Sequence, residues 1–64
     1  MDTPEDNPMT PGLAAYIKHL LMTTRLFQHQ IAAMVGVNQG RVSEVKTGKR
    51  FPNVPPSDQM PRPA

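Results

Sequence analysis

No cysteine occurs in the 64-residue chain, so neither a disulfide nor a thiolate metal site can reinforce it. Tryptophan is absent too, and the aromatic complement is one tyrosine and two phenylalanines. Any core must therefore be aliphatic. No apolar run approaches the ~20 residues that a membrane-spanning helix needs. The acidic start, with Asp2, Glu5 and Asp6, is unlike a signal peptide. The expectation is a cytoplasmic protein, short enough for one domain at most and in the range where a single core is marginal.

Acid is scarce as well, and the scarcity is local. Between Pro11 and Phe51 the only carboxylate is Glu44, against Lys18, Arg25, Arg41, Lys46, Lys49 and Arg50. The formal charge of +2 for the whole chain hides this, because the other acids lie toward the ends. A basic central segment with acidic or neutral arms favours a polyanionic partner.

Residues 1–9, with Pro4, Pro8 and three acids, show no apolar period and are expected to form a disordered arm. Thr10-Pro11 then signals a helix start, Thr as cap and Pro at the first helical position. Leu13, Ile17, Leu20 and Leu21 recur at helical spacing, which predicts a helix over 11–22. A second is predicted over 27–35, with Ile31, Ala32 and Val35 on one face, Leu26 able to staple to Ile31, and Gln30 able to cover its N-terminus. Gly36 suits an abrupt reversal that needs a left-handed dihedral, and Val37 would pin the turn. Asn38 is a good cap for a third helix over 38–47, with Val42 and Val45 inward and Gly48 as its stop. Met22 and Met34 read as gap-fillers at the core edge. Residues 52–64, which hold five of the eight prolines, are expected to be a disordered, partly polyproline tail. The fold expected is all-α, a three-helix domain over 10–51.

The stretch from Gln28 to Thr47 carries a more specific signal. Counting Gln28 as the first place, Ala32 supplies a small residue at the fifth, Gly36 the glycine at the ninth and Val37 a β-branched residue at the tenth. Ile31, Val35, Val42 and Val45 are apolar at the fourth, eighth, fifteenth and eighteenth. In these seven places the stretch resembles the DNA-binding helix–turn–helix of the lambda repressor and Cro type. Gln28, Ser43 and the Gly48-Lys49-Arg50 exit also match residues frequent in that family. The resemblance covers about a third of the chain. It departs from the family where proline replaces two further helices, where Phe27 stands in place of a Ser or Thr cap, and where Lys46 replaces a common Glu. What remains is a minimal three-helix unit, closer in size to a homeodomain or a resolvase DNA-binding end.

The resemblance implies that the third helix enters a major groove. The face opposite Val42 and Val45 would then meet the bases: Gly40, Ser43, Glu44 and Thr47, flanked by Gln39 and Arg41. Gln39 suits adenine, Arg41 guanine, and Glu44 could accept from cytosine, each worth ~1–3 kcal/mol of discrimination when bidentate. Candidate phosphate contacts are Gln28, Asn38, Lys46, Lys49 and Arg50.

The expectation is thus a non-enzymatic, nucleoid-associated regulator of transcription that binds double-stranded DNA, of bacterial or phage type. A homodimer is expected through Leu13, Tyr16, Ile17, Leu20 and Leu21, whose apolar surface exceeds what two short helices can cover. Two rivals stand beside this reading. One is a protein-interaction module docking on RNA polymerase, a sigma factor or another regulator, and the other is an antitoxin-like accessory subunit. No metal or cofactor is expected. His19 and His29 fall on different helices with no cysteine or nearby acid, and Ser43 has only Glu44 beside it, which diverges from it on a helix.

Overall fold

The computed structural model describes residues 9–60. Three helices follow one another: α1 (Pro11–Thr23), α2 (Gln28–Val35) and α3 (Gln39–Thr47). Each lies within one residue of its expected bounds, and no strand occurs among the described residues. The arm expected over 1–9 lies outside those residues except for Met9, which packs against the core.

Local chemistry accounts for the boundaries. Thr10 Oγ1 accepts from the Leu13 amide at 3.1 Å, satisfying one of the exposed donors at the start of α1. Thr24 closes that helix twice over, with its amide at 3.0 Å and its hydroxyl at 2.7 Å from the Leu20 carbonyl oxygen. Phe27 occupies the cap of α2 and has no side-chain acceptor, so Gln30 compensates: its Oε1 accepts from the Phe27 amide at 2.8 Å. Half of a capping box is thereby kept. At the far end Gly36 turns left-handed with φ of 75°, and the amides of Gly36 and Val37 both reach the Ala32 carbonyl, at 2.9 and 3.0 Å. Asn38 Oδ1 caps α3 by accepting from the Gly40 amide at 2.7 Å.

Ile17 of α1, Ile31 of α2 and Val42 of α3 are each fully buried and meet in one cluster. Leu13, Ala14 and Leu20 complete the contribution of α1; Ala32, Val35 and Val37 come from α2 and the turn; Val45 comes from α3. Leu26 is half-buried against the same cluster. This corrects the expected dimer surface. Leu13, Ile17 and Leu20 are enclosed by their own chain and have no face to offer a second copy, while Tyr16 and Leu21 are only half-buried at the margin. Met9 and Phe51, from outside the three helices, also pack against this core. Met22 and Met34 are likewise not gap-fillers, being 71% and 53% exposed.

The proline-rich segment has no helix or strand over 52–60, yet it is held in place. Lys18 Nζ donates to the carbonyl oxygens of Phe51 at 2.5 Å and Val54 at 2.7 Å. Three residues further on, the Ser57 amide donates to the Ala15 carbonyl at 3.0 Å. These bonds lay a strap over residues 51–57 along α1. The remainder of the expected tail, 61–64, lies outside the described residues.

Candidate nucleic-acid interface

With Val42 and Val45 buried, the rest of α3 is turned toward solvent. Gln39, Gly40 and Thr47 are exposed, while Arg41, Ser43 and Glu44 are half-buried on the flank. All six base-contact candidates thus lie on one short helix, with Gly40, Ser43, Glu44 and Thr47 opposite the residues that hold it to α1 and α2 and Gln39 and Arg41 beside them. Lys46, Lys49 and Arg50 are exposed at its C-terminal end, and Asn38 is exposed at its start. Gln28 occupies the first position of α2, half-buried.

Hydrogen bonds narrow what each side chain has to offer. Asn38 has its carbonyl oxygen engaged as the cap of α3, which leaves its amide nitrogen as the group for a phosphate. A methyl group at Gly40 would sit 3.2 Å from that same Asn38 oxygen, so this cap and a bare first turn go together. The Thr47 hydroxyl lies 3.0 Å from the Ser43 carbonyl and donates within the helix. Both ring stacks are local: Tyr16 with His19 at 6.3 Å, and Phe27 with His29 at 5.8 Å between centroids.

Glu44 departs most from the expected arrangement. Its Oε1 accepts from Arg50 Nε at 2.8 Å and from Arg41 Nη1 at 3.3 Å, so the acceptor proposed for cytosine is already engaged inside the chain. The hydrogen bond from Arg50 is the main reason its carboxyl is held below the ordinary value of 4.5, outweighing the opposite push of partial shielding from water. Electrostatic attraction to Arg50 and the Arg41 contacts act in the same direction. The three-residue spacing of Arg41 and Glu44 on one helix face is the signal that could have paired them, where the expectation gave both to base edges. The Arg50 partner has no such signal, because it depends on how the chain leaves α3. At that exit the Lys49 and Arg50 amides both reach back to the Glu44 carbonyl, at 2.9 and 3.3 Å, around Gly48 with φ of 82°. The turn carries the Arg50 side chain back over its own helix.

Beside this face lies a shallow hollow of about 340 Å³, lined by Leu21, Met22, Val45, Pro52 and Pro56, with Lys46 among its remaining residues. Sequence patterning did not anticipate it, because its far wall is the strap. Comparison of the chain with family models, with curated proteins and with solved structures gives no match. No helix among the described residues is long and apolar enough to cross a membrane.

Proposed function

We propose that the protein is a sequence-specific regulator of transcription that binds double-stranded DNA and lays α3 in the major groove. One observation carries this reading. The exposed face of α3 is low and polar, and it runs into the exposed cations Lys46, Lys49 and Arg50. The only acid between Pro11 and Phe51 is paired with two arginines, so the face presents no unpaired carboxylate to a phosphate. In this reading Gln39 and Arg41 read base edges, while Gly40, Ser43 and Thr47 keep the helix surface low enough for close approach. Gln28, Asn38, Lys46, Lys49 and Arg50 contact the phosphates. The place of action is the nucleoid.

One α3 covers only half of a usual operator, so two copies are proposed to bind together, with half-sites ~34–36 Å apart, one turn of the duplex. Selection from random duplex DNA tests the reading. The expected result is an enriched palindrome of that spacing and an affinity that falls with log salt at a slope near −4 to −5, for ~5 phosphate contacts. No enrichment and a slope near zero would sink it.

The apolar hollow beside α3 supports a second reading, docking on RNA polymerase, a sigma factor or another regulator. Replacing Gln39 and Arg41 separates the two. Specific DNA binding collapses while the fold survives under the first reading, and under the second DNA affinity barely changes.

A further inference from the structure

We infer that Glu44 is a positioning residue, which does not itself read a base and instead holds Arg41 and Arg50 as one fixed pair facing the DNA. The inference rests on the DNA-binding reading above and replaces the role in which Glu44 would accept from cytosine. A single oxygen, Oε1, receives both arginines, one from within α3 at 3.3 Å and one from beyond its end at 2.8 Å. The two cations come from separate segments: Arg41 sits in the first turn of α3, and Arg50 follows the glycine turn. Without a shared acceptor they would repel one another, and Arg50 would be free to sweep over many rotamers.

A pair of this exposure does little for stability, because solvent screens it. The arginine side chains are 43% and 45% exposed, and that of Glu44 is 34% exposed. What the arrangement does supply is orientation. Each guanidinium carries five donors in a rigid planar fork. One bond to the carboxylate restricts the position of each fork and leaves other donors for a guanine edge or a phosphate. The Asn38 cap and the Gly48 turn at the two ends of α3 fix the backbone that carries both forks. The triad bears a net single positive charge, so the carboxylate lowers the attraction for any duplex while sharpening the geometry for one.

That opposition gives the test its sign. Glu44→Gln removes the negative charge and weakens the clamp, with little change in volume. The expected result is non-specific affinity rising several-fold while the ratio of selected to scrambled duplex binding falls about tenfold. Glu44→Asp, which keeps the charge, should restore part of that ratio. Far-ultraviolet circular dichroism confirms that each variant is folded. The clamp is also read without DNA, from slowed hydrogen exchange at the Arg50 Nε–H, present in the parent and lost in Glu44→Gln. If the affinities for both duplexes rise in parallel, Glu44 is only a repulsive charge, and the inference falls while the DNA reading stands. If the Arg50 Nε–H exchanges at the free rate in the parent, the clamp is absent and the inference falls on that ground. If the parent binds no duplex and shows no salt dependence, the DNA reading fails and takes the inference with it.

Discussion

The Lys18 ammonium lies 2.5 Å from the Phe51 carbonyl oxygen, across 33 residues of sequence. The contact joins the exposed side of α1 to the start of the strap, at the one described non-glycine residue with positive φ, Phe51 at 53°. A bulky residue is strained there. Two contacts compensate, since the Phe51 side chain packs against the core while its carbonyl oxygen accepts a hydrogen bond from Lys18. Replacing Lys18 with Met keeps the aliphatic stem and removes both charge-assisted bonds. The expected loss of stability is about 2 kcal/mol, measured by urea denaturation, with faster exchange at the Ser57 amide. A variant as stable as the parent, with that amide still protected, would show that the strap does not depend on Lys18.

Ile17 has no exposed surface and touches the centre of the core. Truncation to Ala should cost about 2–5 kcal/mol, which is as much as a domain of this size has in hand. The expectation is loss of the cooperative thermal transition. Had Ile17 served a dimer face, the variant would stay folded and show only a change in sedimentation.

Gly36 holds a φ of 75° where α2 reverses into α3. An alanine there is expected to cost about 1–2 kcal/mol, and an asparagine less, because its side chain tolerates the left-handed region. Equal melting temperatures for the glycine and alanine forms would contradict the turn.

Base readers and phosphate contacts should separate by salt. Alanine at Gln39 or Arg41 is expected to weaken specific binding by ~1–3 kcal/mol and leave the salt slope nearly unchanged. Glutamine at Lys46 or Lys49 should weaken binding to all duplexes alike and reduce the slope by ~1. The reverse pattern would exchange the two roles.

The Glu44 clamp has a defined acid limit. The folded carboxyl lies below its ordinary value of 4.5, so its contribution is fully present above that pH and is lost as the pH falls through the lowered value. Protection of the Arg50 Nε–H should follow, steady at neutral pH and lost only in acid. A loss of protection centred near neutral pH would contradict control by the Glu44 carboxylate.

The three helices and their ends were legible because their causes are local. Thr10 and Asn38 each cap an amide within three residues, and Gly36 and Gly48 each end a helix by a dihedral that glycine adopts freely. Most positions that form the core were legible for the same reason, since apolar spacing sets one face of each helix, but the fully buried Ala14 was not among them. The third-helix face that carries the candidate contacts followed from the buried Val42 and Val45.

Spacing along a single helix says nothing about what distant chain will cover it. Three of the residues expected at a dimer face on α1, Leu13, Ile17 and Leu20, are buried by their own chain, Met9 and Phe51 also lie against the core, and Lys18 anchors a strap that proline content alone suggested would be loose. Proline forbids helix but not attachment, and whether such a segment stays attached depends on acceptors brought together by folding. The same holds for Glu44. The sequence alone determined that one carboxylate stands among six cations between Pro11 and Phe51. Only the tertiary structure decided which two it holds, since the turn after Gly48 returns Arg50 to the flank of α3.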